Sequence, residues 1–435
     1  PATNALPSVG VPRPPRALPR GAKSVSALRP SLGLLRTPVE PFGMQHVGVQ
    51  LLTPPGHNLA LRAATFMAGK RGSRAQELRA MKALATYAVA PDGTLRVHVT
   101  APDVTRATKL ALQQLQEAAS HGGAQAFAVR LRDACGATCS VAAQPEAMAQ
   151  AQARRMFAAP HPCAALDAQA AFASMQRLSQ HDVHTAAQVA IAAPANVLVA
   201  NAAPTQARAV GSCFALGDGE APVRALPPLR AVKRGAAPDA HVVEAITNYC
   251  RVEAAPHAPD AVSGTIAKLA CNHIAGAGFG QRAEGFKSAM ELMRRDAPQV
   301  LTYGPSVRCH AQLHAHPDNQ HANFLAVETA VPCKPALLPQ VRRAVRRTMP
   351  AQAWLTKMTP EHWHTCLQRE RDIEAVMDSA LPFHAERYFA TQLRGESAER
   401  AQAVRDAVDT ASLADVRAAI QAHLNCKRVC AEAAL

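Results

Sequence analysis

The sequence predicts an α+β fold made of two tandem homologous domains, each a mostly antiparallel sheet with helices packed on one face. Three observations point to this class. An Asp-Val pair lies at the start of a predicted helix in each half of the chain, at Asp182 and at Asp415. Each helix leads into a short apolar strand, and each follows an aromatic segment, marked by Phe157 and Phe389. A repeat this long exceeds the ~20–50 residues of a solenoid unit, so it indicates a duplicated domain.

Composition and periodicity divide the chain into four parts. We assign residues 1–40 to a basic N-terminal arm rich in Pro and Ala, and residues 41–216 to the first domain. Residues 217–240 hold four prolines and show no periodicity, which is typical of a linker. Residues 241–435 then form the second domain.

In the first half, a strand is predicted at 46–52 and a helix at 58–79 with a turn at 69–73. Residues 94–101 alternate between apolar and polar side chains, which predicts a half-buried strand. Its apolar side carries Leu95, Val97 and Val99, and its polar side carries Arg96, His98 and Thr100. A helix at 102–120 follows, and two more helices and a strand complete the domain.

The second half is predicted to begin with a strand at 241–249 and a helix at 261–274. Strands at 307–315 and 321–331 are expected to form a hairpin. Because Pro382 interrupts a long helical stretch and Gly395 is suited to a C-cap, the next helices are placed at 335–349, 360–379 and 384–394. Ser412 caps the last predicted helix, whose apolar stripe is formed by Leu413, Val416, Ile420 and Leu424.

The chain carries a net charge of +15 and has a pI near 9.7, which would suit nucleic acid, anionic lipid or acidic peptides as partners. A generally basic proteome, such as that of the mitochondrial matrix, explains the same charge. Aromatic residues make up only 4% of the chain, so few rings can stack on bases and we expect no nucleic-acid partner. The arginines of helix 335–349 lie opposite its apolar side, as on a solvated face; they are Arg342, Arg343, Arg346 and Arg347.

The eleven cysteines show neither zinc-knuckle nor C-x-x-C spacing, so we expect free thiols in a reducing compartment. Residues 1–39 contain five Arg, one Lys and no acidic residue, a composition similar to that of organelle transit peptides. Because the chain starts at Pro1, we expect that a leader has already been removed. We find no segment suited to span a membrane, so membrane association is expected to be indirect.

The duplicated layout resembles the pitrilysin-type zinc peptidases and their mitochondrial relatives, which include the processing peptidase subunits and the core proteins of respiratory complex III. The resemblance covers most of residues 41–435 and depends on the order and spacing of several local matches. These matches are residues 59–66, 69–73, 94–99, 273–282, 303–307 and the segment from Asp415 to Leu424. The resemblance implies the α+β fold, with two LuxS-like metallohydrolase units in tandem.

Active members of the family carry H-x-x-E-H on the first long helix, where the two histidines bind zinc and the glutamate activates water. This chain departs from that pattern. No acidic residue lies between Glu40 and Glu77, and residues 58–67 contain neither His nor Glu. His57 stands alone before the helix and is interpreted as a loop residue. We therefore assign no catalytic, metal-binding or cofactor-binding residue.

Two other patterns are weaker. A group of histidines near the predicted hairpin could in principle bind zinc or copper, but no favourably placed carboxylate joins them, and a polar sheet face is the preferred interpretation; they are His310, His314, His316 and His321. Gly276, Gly278 and Gly280 follow a helix instead of a strand, so they do not form a dinucleotide fingerprint.

The resemblance implies a non-catalytic core subunit of mitochondrial ubiquinol–cytochrome c reductase, peripheral on the matrix side of the inner membrane. Such a subunit would hold no cofactor, would pair with a homologous peptidase-like core protein, and would contact other complex III subunits. One alternative is the non-catalytic, alpha-type subunit of a processing peptidase, which binds presequences for a zinc-bearing partner. Another is a basic RNA-associated organellar protein, which the few aromatics and the duplication disfavour.

Overall fold

A computed structural model describes most of the chain. The described residues are 25–29, 31–36, 43–54, 56–71, 74–90, 93–142, 168–216, 247–256, 261–275, 306–312, 324–333, 336, 338–348, 359–377, 380–393, 398–424 and 429–434. Their elements form two sheets with associated helices, a mixed α and β architecture.

The elements of the first half begin before residue 41 and end at Leu216. They are β1 (Val25–Arg29), β2 (Leu32–Leu35), β3 (Gln45–Leu51), α1 (Asn58–Arg71), α2 (Ala75–Ala80), β4 (Leu84–Val89), β5 (Leu95–Ala101), α3 (Val104–Gln116), α4 (Gly123–Ala142), α5 (Ala168–Gln176), α6 (Gln180–Ala192), β6 (Pro194–Ala200), α7 (Pro204–Gly211) and β7 (Ala215–Leu216).

The first sheet has the strand order β1-β2-β6-β3-β5-β4, and β7 also pairs with β6. β6 pairs in parallel with β2 and β7, and the remaining described pairs are antiparallel. Helices α1 and α3 pack on one side of this sheet, and α6 packs against both helices. The valines and leucines that β3 and β5 turn to this side are completely buried: Val47, Val49, Leu51, Leu95, Val97 and Val99.

The described elements of the second half begin at Thr247. Its elements are β8 (Thr247–Pro256), α8 (Ala261–Ala275), β9 (Ser306–Gln312), β10 (Phe324–Cys333), α9 (Leu338–Thr348), α10 (Pro360–Met377), α11 (Leu381–Leu393), α12 (Ala398–Asp409), α13 (Leu413–Leu424) and β11 (Val429–Ala434). The second sheet has the order β11-β8-β10-β9, with every neighbouring pair antiparallel.

The two sheets share a common arrangement. The strands β6-β3-β5-β4 of the first sheet occur in the same relative chain order as β11-β8-β10-β9 of the second, with the same antiparallel pairings. The helix after the first of these strands, α1 or α8, packs against the last long helix before the final strand, α6 or α13. The matching Asp-Val helices therefore occupy matching positions in the described parts of both halves.

The starts of α6 and α13 are built in the same way. In α6, the Ser179 backbone N–H donates to the Asp182 carboxylate (2.8 Å) and the Asp182 N–H donates to the Ser179 hydroxyl (3.1 Å). Ser412 and Asp415 make the same pair of bonds at 2.9 and 3.3 Å. The serine hydroxyl and backbone hydrogen bonds lower the pKa of both carboxyl groups. The capping box predicted at Ser412 is thus present, and it has a counterpart in the first half.

Part of the predicted N-terminal arm belongs to the first sheet. Residues 25–29 and 32–35 form β1 and β2, so assigning these residues to an arm outside the domain is wrong. Leu32, Leu34 and Leu35 are buried because β2 pairs in parallel with β6, a strand far along the chain. The basic, Pro-rich composition of 1–40 gave no sign of this pairing.

Two element boundaries in the second half differ from prediction for an evident physical reason. The strand predicted at 241–249 is described as Thr247–Pro256, because its pairing with β10 continues to Pro256. The helix predicted from 384 begins at Leu381, since Pro382 fits the first turn of a helix, where no intrahelical N–H is needed. The predicted hairpin is present as β9 and β10, whereas its turn and Gly395 lie outside the described residues.

Helices cover both faces of the first sheet, which corrects the prediction of helices on one face. Helix α11 of the second half packs on β3 and β6, opposite α1 and α3. We call this side of the first sheet the outer face. Leu381, Ala385 and Phe389 of α11 are buried there against Leu198 and other sheet residues. The strand predicted at 94–101 is consequently buried on both sides, with Arg96 8% exposed.

Candidate functional site

Helix α1 is the place where the resemblance would put a zinc site. Its sequence, NLALRAATFMAGKR, contains no histidine and no acidic residue. The side chains it buries are apolar or small, apart from Thr65, whose hydroxyl donates to the Arg62 carbonyl (3.0 Å). His57 is half-buried just before the helix, where its carbonyl accepts from the Leu61 N–H. One imidazole before the helix does not make a zinc site, which needs three or four imidazole, thiolate or carboxylate ligands.

No group of three His, Cys, Asp or Glu side chains within the described ranges could hold a metal ion. The other residues considered in the sequence analysis form no metal site within the described ranges. Gly276, Gly278 and Gly280 and the histidines at 314, 316 and 321 lie outside the described residues. His310 lies on β9, opposite Ala326 of β10. Cys135 and Cys366 are buried, and Cys213 is half-buried.

The outer face of the first sheet holds a cluster of contacting polar side chains. His46 of β3 is fully buried, and its Nδ1 shares a hydrogen bond with the Thr100 hydroxyl (2.9 Å). Its Nε2 lies 3.4 Å from Nδ1 of His98, and the two rings stack with centroids 5.5 Å apart. Nε2 of His98 lies 3.0 Å from the carboxylate of Glu386 on α11. A chain of contacts therefore joins β3 and β5 to the second half.

A second polar group lies beside the histidines on the same face. The Arg96 guanidinium stacks on the Phe389 ring at 4.9 Å from its centroid, and its Nε is 4.0 Å from the Glu386 carboxylate. The Gln50 amide, with its oxygen turned toward Arg96, accepts from both terminal guanidinium nitrogens (3.1 and 3.2 Å) and lies 3.0 Å from the Asn196 amide. The buried cation is thus held by hydrogen bonds and by an aromatic face.

The environment of His46 favours its neutral form. Burial is the main cause, followed by the nearby His98 and His384, and together they lower the pKa of His46 to about 3. The contacts of His98 and Arg96 with Glu386 and Phe389 position α11 on the sheet.

Sequence reasoning did not find this cluster. Strand alternation correctly placed Arg96, His98 and Thr100 on one side of β5. The same alternation places His46, Gly48 and Gln50 of β3 on that side. The sequence does show polar residues on one face of two neighbouring strands. No pattern within these strands indicates that a helix covers that face.

Solved structures, in contrast to sequences, resemble this chain. No protein-family model and no curated protein sequence matches it. The peptidase M16 inactive domain from Pseudomonas fluorescens matches with a TM-score of 0.67 and 13% identity, covering 94% of this chain and 98% of that one. The chain has the M16 peptidase-like fold. At such identity the likeness establishes the fold alone.

Two further matches are a protease and a chain of a larger complex. The periplasmic protease PqqL from Escherichia coli matches with a TM-score of 0.63 and 12% identity over 100% of this chain and 48% of PqqL. A chain of complex III2 from Candida albicans matches with a TM-score of 0.61 and 10% identity, covering 93% of each chain. The fold therefore occurs in a protease about twice the matched length and in a respiratory complex. None of the described helices combines the length and apolar content that a membrane span requires.

Proposed function

We propose that this chain is a non-catalytic M16-type subunit, the second core protein of mitochondrial ubiquinol–cytochrome c reductase or a close counterpart. The observation that carries the proposal is α1, which has neither a histidine nor an acidic residue where the active family places its zinc motif. Without those ligands the fold has no means of activating water at that helix. Its contribution is then structural, on the matrix side of the inner membrane.

The structural neighbours support this proposal. One is described as an inactive M16 domain and another belongs to a complex III, and both match along almost their whole length. The partners we propose are a homologous peptidase-like core protein and other complex III subunits. In this role the chain binds no haem, iron–sulfur cluster or quinone.

We also propose that the two halves are copies of one domain, joined by residues 217–240. The shared strand order and the equivalent capping boxes at Ser179 and Ser412 support this duplication. With β1 and β2 included, the first copy begins at Val25 instead of residue 41. An experimental structure in which α6 and α13 lay at different places relative to their sheets would contradict it.

The absence of peptidase chemistry is tested on the purified full chain. We expect no stoichiometric zinc and no cleavage of a basic presequence peptide, with an H-x-x-E-H family member as the positive control for both measurements. One tightly bound zinc per chain, mapped to residues 41–120, would overturn the non-catalytic assignment.

The partner is tested by purifying the tagged full chain in mild detergent from its native membranes. We expect cytochrome-containing subunits and a homologous peptidase-like chain to co-purify, because the proposed role is in complex III. Recovery of a single H-x-x-E-H chain without cytochromes would instead establish a processing peptidase subunit. Recovery of the chain alone, as a stable monomer, would reject both roles.

A further inference from the structure

The outer face of the first sheet joins two parts of the chain through a small interface. Helix α11 contributes Leu381, Ala385 and Phe389 to an apolar cluster with Leu35, Leu198 and Ala200, which is separate from the larger core on the other side of the sheet. Because few apolar groups hold α11, its release costs less than unfolding the sheet and its helices. The polar contacts around His46 are therefore a substantial part of what holds this helix.

The described groups that face His46 include more basic than acidic side chains. Arg96 and His98 of β5 and His384 and Glu386 of α11 are the described titratable or charged groups that face it. Glu386 is the one carboxylate among these described groups, and it already contacts His98 (3.0 Å) and Arg96 (4.0 Å). A proton added to His46 would place a further buried positive charge in this cluster.

We propose that the His46–His98–Glu386 cluster is a pH-sensitive latch, which holds α11 on the first sheet at neutral pH and releases it on acidification. Release would loosen the connection between the two halves while α1 and α3 stay packed on the opposite face. The proposal is independent of the role in complex III, since it depends only on contacts within this chain.

The direction of the effect follows from proton binding. Docking lowers the pKa of His46 from 6.5 to about 3, whereas in the released state the side chain is solvated and keeps its ordinary value. The released state therefore binds an extra proton between these two values. Docking is fully stabilised above pH 6.5 and weakens as the pH falls below it, with the released population rising about tenfold per pH unit.

Hydrogen exchange of the full chain tests this without any substitution. Amide exchange in residues 381–393, corrected for the intrinsic effect of pH, should report an opening that rises about tenfold per pH unit from about pH 6 to about pH 5. The amides of α3, on the opposite face of the sheet, should show no such rise. A flat response in α11, or an equal rise in both helices, would overturn the latch.

Two variants identify the group that titrates. His46→Gln keeps a hydrogen-bonding side chain near Thr100 but cannot be protonated, so the pH response of α11 should disappear. His121→Gln replaces an exposed histidine before α4 and should leave the response unchanged. If the response persists in His46→Gln but vanishes in Glu386→Gln, the carboxylate is the titrating group and the proposal fails. If His46→Gln does not fold, the exchange of the unmodified chain decides.

Discussion

Gly48 lies where β3 and α11 come close together. A Cβ built on this residue would collide with the Cβ of Ala385, and it would lie 3.2 Å from Cζ of Phe389 and 3.6 Å from Nδ1 of His98. Glycine is needed here for space, because any side chain would push the helix away from the strand. Helix α11 can therefore cover the histidine cluster only because residue 48 is a glycine.

Replacing Gly48 by Ala should lower the free energy of unfolding by about 1–3 kcal/mol, the usual cost of overpacking a buried contact. Removing the opposing methyl group in Gly48→Ala/Ala385→Gly should recover part of this loss, so that the double variant is more stable than the two separate effects predict. Denaturant unfolding of the four proteins of the cycle measures this coupling.

Gly69 provides a matched control. It lies exposed in α1 with nothing within 4 Å of an added Cβ, so Gly69→Ala should stabilise the chain by about 0.5–1 kcal/mol. If Gly48→Ala were equally harmless, α11 would not rest on β3 in solution.

Among the elements, β2 shows how a strand outside the predicted domain becomes part of its core. Leu32 and Leu35 are each 1% exposed, and β2 pairs with β6 along residues 197–200, beyond the two residues of β6 that pair with β7. Burial of a leucine contributes about 1.5–3 kcal/mol, so the loss of this strand would cost more than most single substitutions. Exposed edges also favour aggregation.

Two truncations separate the strands from the residues that precede them. Deleting residues 1–24, which leaves both strands in place, should leave the free energy of unfolding within about 0.5 kcal/mol of the full chain. Deleting residues 1–40 also removes β1 and β2. This deletion should lower the free energy of unfolding by several kcal/mol, on the order of the burial of three leucines, and should reduce solubility. Equal stability of both truncated chains would show that β2 does not contribute to the sheet.

On the scale of the whole molecule, the first sheet is complete only when the second half supplies α11. Without that helix, Phe389 no longer covers Arg96, and the apolar residues Leu35 and Leu198 become exposed beside the polar cluster. The halves are therefore expected to depend on each other for solubility, although each has its own apolar cluster.

Expressing the halves as separate chains tests this dependence. Residues 1–216 alone should be largely insoluble, and co-expression with residues 217–435 should restore a soluble complex that co-purifies. Replacing Phe389 by Ala in the second fragment should weaken the complex, because truncating a buried Phe costs about 3–5 kcal/mol. Val376→Ala, at an exposed position of α10, is the control and should have no effect. A soluble, folded first fragment would contradict the expected role of α11.

Local features of the sequence determined much of the α+β layout and showed that α1 lacks the histidines and acidic residues of a zinc motif. The alternation along β5, the serine and aspartate of each capping box, and the absence of His and acidic residues from α1 are properties of short segments, and they persist in the structure. Short-range patterns suffice in these cases because the residues that interact are within a few positions of each other.

Only the tertiary structure decided which faces are covered. His98 and Glu386 are 288 positions apart, so no local pattern could indicate their contact. Alternation shows that one side of β5 is polar, but that side can equally face water or a helix that satisfies its hydrogen bonds. The same holds for β2, whose parallel partner β6 comes late in the first half. Local sequence patterns thus determined many of the elements, although not β1 and β2, and long-range packing decided that α11 and β2 complete the first sheet.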